Sequence, residues 1–295
     1  MHARAVAVTT TALLGLALTT PLSHARTAAD EGPSVIAHRG ASAYAPENTL
    51  AAVDKAAELG IRWVENDVQR TKDGELVVIH DDSLARTTDV EQVFPGRAPW
   101  KVKDFTAAEI RRLDAGRWFA AAYAGARVPT LKQYLDRVTR HHQKLLLELK
   151  NSELYPGIER QTLKALDDAG WLDRPQDTDR LIVQSFDVDS IRTVHAAAPA
   201  VKTAILGTPS VSALPGYADF ADQVNPSYDT LSSSYVSSVH AFTGPHGRPM
   251  EVLAWTVNDA ATARKVAGLG VDGLITNKPD VVRDAVGGAV DFARR

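Results

Sequence analysis

The amino-acid sequence predicts an α/β fold of the (β/α)8 TIM-barrel type, with a small insertion after the second barrel strand. Three observations carry this expectation. Short apolar, β-rich runs alternate with amphipathic helical patterns, which implies a parallel sheet covered by helices. Eight such units fit into the ~270 residues that follow an N-terminal leader, a usual size for a closed eight-stranded barrel. No Gly-rich phosphate loop follows the first strand, which weighs against the competing open, doubly wound sheet.

Composition narrows the classes of function. The 295 residues are 44% hydrophobic and 23% charged, an ordinary globular balance. Thirty-three Lys and Arg face 36 Asp and Glu, a net charge of -3, so nothing draws the chain to nucleic acid. There is no cysteine. A zinc finger, an iron–sulfur cluster, a disulfide scaffold, a thiol nucleophile and a lipid anchor on cysteine are all excluded.

The elements follow in order. Residues 1–25 have the three parts of a secretory signal peptide: Arg4, an apolar stretch over 5–18 broken by Pro21, and small residues at Ser23-His24-Ala25. A membrane anchor is the alternative, but the stretch falls short of the ~20 residues needed to span a bilayer. A secreted chain of residues 26–295 with no stable membrane anchor is expected. Strands are expected at 35–38, 63–68, 76–79, 145–150, 181–186, 203–206, 223–225, 252–257 and 273–276. Helices are expected at 46–59, 131–140, 156–169, 187–197, 260–269 and 279–286. Pro46 is read as an N-terminal helix residue and Gly60 as the stop.

Nine strands are one too many for the barrel. Residues 68–80 carry Asp73-Gly74 between two short runs, a hairpin signal. No crossover helix fits there, so residues 69–80 are read as an arm that leaves strand two and returns. Residues 81–129 show no clear strand and are read as an insertion above the C-terminal face. Thr106 with Glu109 looks like a helix cap, and Trp100, Trp118, Phe119 and Tyr123 are either a small core or an exposed apolar surface of the kind a phospholipid-cleaving enzyme needs to meet a membrane.

Barrel enzymes place their chemistry at the C-terminal ends of strands. That rule selects His38-Arg39-Gly40, Glu65-Asn66-Asp67, Glu148-Leu149-Lys150, Gln184-Ser185-Phe186, Trp255-Thr256-Val257-Asn258, and His80-Asp81 at the end of the hairpin. Glu65 and Asp67 share one face of a strand, and Glu148 stands on the adjacent strand. Three inward carboxylates need a cation, and all-oxygen ligands favour Mg²⁺ or Ca²⁺ over zinc. Pairing with Lys or Arg is the plainer alternative for Glu65 and Asp67. His38 and His80 beside that cluster suggest a proton acceptor and a proton donor. Arg39 suggests an anionic substrate, and Lys150 either adds charge or bridges to Glu148 or Asp67. Trp255 offers an apolar wall to a small ligand, or plain core packing. The remaining histidines beyond the leader are read as surface residues.

These motifs together resemble the glycerophosphodiester phosphodiesterases. The resemblance runs from VIAHRGASAYAPENTL through VENDVQ, VVIHDD, LLLELK, VQSF and AWTVND to VDGLITNKPD, nearly the whole mature chain in the same order. It implies a barrel that hydrolyses glycerophosphodiesters to glycerol 3-phosphate and an alcohol. By that resemblance His38 and His80 are the catalytic pair, and Glu65, Asp67 and Glu148 bind a divalent metal, Ca²⁺ or Mg²⁺. Arg39 binds phosphate with Lys150 near it. Asn66 departs from the family's more usual apolar residue, and Asn277 from a frequent Asp; a local helix cap is all the second change is expected to touch. A lysophospholipase D or sphingomyelinase D type of phosphodiesterase is the alternative activity.

Overall fold

A computed structural model describes residues 1–2, 32–173 and 180–287. Apart from Met1 and His2, the expected leader lies outside the described residues. Among the described residues, no helix is long and apolar enough to cross a membrane.

Eight parallel strands close on themselves. They are β1 (Ser34–Ala37), β2 (Trp63–Arg70), β4 (Lys144–Leu149), β5 (Leu181–Ser185), β6 (Lys202–Leu206), β7 (Gln223–Asn225), β8 (Glu251–Ala254) and β9 (Gly273–Thr276). Strand β1 pairs with β9 on one side and β2 on the other, which shuts the barrel. The ninth strand, β3 (Leu76–Val78), runs antiparallel to the end of β2, with Val68 opposite Val78. Gly74, at φ 91°, makes the turn that Asp73-Gly74 signals. Pairing with this arm extends β2 two residues beyond the expected end.

Between the strands lie α1 (Leu50–Glu58), α4 (Leu131–Arg140), α5 (Ile158–Asp168), α6 (Val188–Ala197), α9 (Ala260–Ala267) and α10 (Pro279–Val286). Two further helices, α7 (Leu214–Ala218) and α8 (Ser233–His240), form where the sequence shows no clear helical pattern; Ser232 caps the second. Helix α1 begins four residues later than expected. Thr49, not Pro46, is its N-terminal boundary, and Thr49 Oγ1 accepts from the Ala52 amide. The residues in front of it are used elsewhere, as the site makes plain.

Strand alternation sets the two faces of the barrel. Ile36, Leu146, Ile182, Ala204, Leu253 and Ile275 meet inside as a packed plug, with Trp63 and Trp255 against it. The inside is therefore filled below the rim, and any chemistry must sit above it. Val64, Val68, Leu145 and Leu147 point outward into the layer shared with the helices. Asn66 also points outward, as expected. Its wholly buried amide has no hydrogen-bond partner in the protein, a cost an apolar residue there would not carry.

The segment 81–129 carries α2 (Val90–Val93) and α3 (Ala107–Ile110). Thr106 and Glu109 form the expected capping box. Its core differs from expectation. Leu84, Val90, Val102, Phe105, Ile110 and Leu113 fill it, together with Val77 and Ile79 of the hairpin. Trp100 packs against that core, but Trp118 is 41% exposed, and Phe119 and Tyr123 stack in line with it outside the core.

Candidate active site

The turn after β1 is forced by its own sequence. Arg39 and Gly40 both adopt positive φ, 57° and 76°, so the chain doubles back at once. A Cβ on Gly40 would lie 2.6 Å from the Ala52 backbone, so only glycine lets this turn settle onto α1. The turn leaves His38 and Arg39 at the rim. The stretch Pro46-Glu47-Asn48-Thr49 then serves the site residue by residue. Thr49 caps α1, Asn48 Nδ2 donates to Asp67 Oδ2 at 2.7 Å, and Glu47 Oε1 accepts from Arg39 Nη1 at 2.8 Å.

Glu65, Asp67 and Glu148 meet as expected. Asp67 pairs in register with Glu148 across β2 and β4, and Glu65 stands two residues below Asp67 on the same face. One ligand oxygen from each lies within 4.8 Å of the others, and all three residues are buried. Burial, then the charges of Asp67 and Glu148, push the Glu65 carboxyl far above its ordinary value. Burial and the Asp67 charge push Glu148 up to about 8. Asp67 is also buried, but Arg39, His80 and Lys150 outweigh that and hold it below its ordinary value. Asp67 Oδ1 has no hydrogen-bond partner in the protein. Mutual repulsion, an orphaned carboxylate oxygen and an all-oxygen donor set together fit a hard divalent cation.

Both rim histidines have a fixed ring. His38 Nδ1 lies 2.6 Å from Asn277 Oδ1 and His80 Nδ1 2.6 Å from Asp81 Oδ1. In each case the ring donates from Nδ1, which leaves Nε2 as the nitrogen available for proton transfer. Burial and then the Arg39 charge lower the His38 pKa to about 4, so His38 is neutral near pH 7. The His80 backbone is clamped as well. Gln69 Nε2 donates to the carbonyls of Ile79, His80 and Asp81 at 2.9, 2.9 and 2.7 Å, and Tyr155 donates to Gln69 Oε1.

Lys150 does both things foreseen for it. It donates to Glu148 Oε1 at 2.8 Å and lines the cavity of about 240 Å³ at the barrel mouth. His38, Arg39, His80, Gln184, Phe186 and Trp255 share that lining. Trp255, just past β8, donates to the Asn225 carbonyl and meets Phe186 edge to face at 5.9 Å. It is a wall of the cavity and packs on the barrel plug at the same time.

The expected site residues therefore converge on one rim. Further residues hold these in place. Asn277 holds His38 and does not cap the following helix, whose N-terminal boundary is Lys278; its amide N–H is held in turn by Asn258 Oδ1 at 2.9 Å. Glu47 and Arg86 meet across 39 residues of sequence, Gln69 reaches across the hairpin from β2, and Asp81, selected together with His80, holds that ring. The other histidines are not simply on the surface: His141, His240 and His246 are half-buried and paired with Asp54, Asp272 and Asp222. All three pairs lie away from the mouth.

The chain is similar to proteins of one family over most of its length. A model of the Glycerophosphoryl diester phosphodiesterase family matches residues 38–281. A putative glycerophosphodiester phosphodiesterase of Bacillus subtilis is 37% identical over 255 residues, 84% of this chain and 96% of its own length. A glycerophosphodiester phosphodiesterase of Caldanaerobacter subterraneus is 36% identical over 256 residues, 85% of this chain and 97% of its own. Among solved structures, an Oleispira antarctica phosphodiesterase in complex with the product sn-glycerol-3-phosphate superposes with a TM-score of 0.73. It is 32% identical and covers 88% of this chain and 99% of its own.

Proposed function

The chain belongs to the glycerophosphoryl diester phosphodiesterase family, and from that premise we propose a metal-dependent hydrolysis of glycerophosphodiesters carried by His38 and His80. The products are glycerol 3-phosphate and an alcohol. The reading rests on two ring-locked histidines presenting Nε2 to one mouth, one of them neutral by burial.

Hydrolysis in line needs a proton taken from the attacking oxygen and a proton given to the leaving one. His38, neutral and held at Nδ1, takes the first on Nε2. His80, whose Nδ1–H is held by Asp81, gives the second from Nε2 to the departing alkoxide. One P–O bond forms, the P–O bond to the alcohol breaks, and the two histidines exchange protonation states. Arg39 and Lys150 hold the phosphoryl oxygens; burial works against both charges, but Asp67 with Glu47, and Glu148 with Asp67, keep them cationic throughout the working pH range. Glu65, Asp67 and Glu148 would hold Ca²⁺ or Mg²⁺, which supplies positive charge to a phosphoryl oxygen when bound. Phe186 and Trp255 supply the apolar wall.

The test is release of glycerol 3-phosphate from glycerophosphocholine, with and without chelator, by the wild type, His38→Ala and His80→Ala. Either substitution should lower kcat by roughly 10²–10⁴-fold, the range for a positioned acid or base. Near-normal kcat in both folded variants would end this assignment. Lysophosphatidylcholine and sphingomyelin in the same assay test the lysophospholipase D or sphingomyelinase D alternative.

We also propose that the chain is exported and cleaved after Ala25. N-terminal sequencing of protein from the culture medium should begin at Arg26; an intact Met1 on active cytosolic protein contradicts it.

A further inference from the structure

Arg86 is absent from the cavity wall, yet it touches both halves of the site. It lies in the segment after the hairpin, five residues beyond Asp81 and 39 beyond Glu47. Its Nε and Nη2 donate to Asp81 Oδ2 and Oδ1 at 2.6 and 2.9 Å. Its Nη1 and Nη2 donate to Glu47 Oε2 and Oε1 at 2.8 and 2.7 Å. The two carboxylates carry one site residue each. Asp81 Oδ1 also holds His80 Nδ1, and Glu47 Oε1 also holds Arg39 Nη1.

The insertion sets where Arg86 stands. Leu84, two residues before it, is wholly buried in the insertion core. The Leu84 amide donates to the Trp100 carbonyl at 2.9 Å, Val102 donates to the Asp82 carbonyl at 2.8 Å, and Lys101 pairs with Asp82. Thr88 Oγ1 donates back to the Leu84 carbonyl at 2.6 Å. Arg86 is thus held from below by a folded unit that itself lies outside the barrel.

We propose that Arg86 is a positioning residue for the phosphodiesterase reaction: its guanidinium ties the His80–Asp81 pair to the Arg39–Glu47 pair and fixes the spacing between proton donor and phosphate ligand. The proposal rests on the roles given above to His80 and Arg39. A planar fork serves two carboxylates at once, which a lysine ammonium, a single point of charge, does not. Without it, Asp81 keeps no fixed orientation, and neither does the ring it holds. Glu47 loses two of its three hydrogen bonds and is free to draw Arg39 toward itself and away from phosphate. Misplacement of a reacting group by about 1 Å can cost on the order of 10²-fold in rate.

The experiment measures kcat, KM and the melting temperature of Arg86→Ala, Arg86→Lys, His80→Ala and the Arg86→Ala/His80→Ala double variant. Arg112→Ala, an exposed arginine of the same insertion, is the control. We expect Arg86→Ala to lose about 10–100-fold in kcat, with a smaller rise in KM and a nearly unchanged melting temperature. Millimolar guanidinium, far below denaturing levels, should restore part of that kcat. Arg86→Lys should stay impaired, and the double variant should lose less than the product of the two single losses, because part of the Arg86 effect runs through His80 and the rest through Arg39. Arg86→Ala at wild-type kcat, or a kcat loss matched by lost stability and untouched by guanidinium, overturns the clamp. If His80→Ala is itself fully active, the reading of the site falls and takes the clamp with it. An inactive His80→Ala beside a normal Arg86→Ala removes the clamp alone.

Discussion

His38 Nδ1 and Asn277 Oδ1 stand 2.6 Å apart, joining residues 239 positions apart in the chain where the last barrel strand meets the first. Closure of the barrel creates this contact, because β1 and β9 pair only when the sheet has come full circle. Asn277 is itself held by Asn258, so three strand ends fix one imidazole. Asn277→Ala should leave the fold intact and lower kcat by roughly 10-fold or more, since the ring then loses its fixed tautomer. Asn277→Asp should shift the acidic limb of kcat/KM to higher pH, because a carboxylate beside the ring favours imidazolium. An unmoved limb in Asn277→Asp means that this contact does not govern the base.

The wild-type pH profile follows from the same residue. Burial and Arg39 lower His38 from 6.5 to about 4, so it accepts a proton at any pH above that region. At saturating metal, kcat/KM should hold its level well below pH 6.5 and fall only on approach to pH 4. A limb at 6.5 or higher would show that the base is a different group.

Metal removal should show in stability as well as in rate. In the folded chain Glu148 holds its proton up to about pH 8, against an ordinary 4.5. The unfolded chain releases that proton first, so the metal-free protein loses stability as pH rises from 4.5 to 8 and no more beyond. Glu65 acts in the same direction. His38 acts in the opposite one, but only below 6.5, where the unfolded chain takes up a proton that the folded chain refuses. Between pH 6.5 and 8 the carboxylates therefore decide. Thermal melts in chelator should fall across that window, and the gain from added Ca²⁺ or Mg²⁺ should widen. A constant gain would place the cation somewhere other than this triad.

Asn66 offers a test away from the chemistry. Its amide is buried without a partner on the outer face of β2. Asn66→Leu should stabilise the protein by about 1–3 kcal/mol, the cost of an unsatisfied buried polar group, with kcat unchanged. A loss of stability in urea unfolding would mean that the amide is satisfied in solution.

Leu84→Ala removes a wholly buried side chain from the insertion core. It should cost about 2–5 kcal/mol in the unfolding of that unit and lower kcat, since Arg86 depends on the same loop. Hydrogen exchange should report loosening at 81–129 while the strands of the barrel stay protected. Uniform loosening would show that the insertion and the barrel unfold together.

The sequence by itself determined the barrel, the hairpin arm and the candidate site residues that meet at the rim. Those are local properties. Alternation along β2 puts Glu65 and Asp67 on one face whatever the rest of the chain does, and Asp73-Gly74 turns the hairpin wherever it lies. Residues whose task is to hold others were not legible. Glu47 and Asn48 sit in a stretch that reads as a helix start, and become partners of Arg39, Arg86 and Asp67 because the left-handed turn at Arg39 and Gly40 delays α1 to Leu50. The same was true of the insertion, where aromatic content suggested a core that the insertion's own Leu84, Val90, Val102, Phe105, Ile110 and Leu113 fill together with Val77 and Ile79 of the hairpin. Only closure of the barrel brought Asn277 to His38 and only the folded insertion brought Arg86 to Glu47, since a hydrogen bond between side chains hundreds or tens of residues apart has no periodicity to announce it.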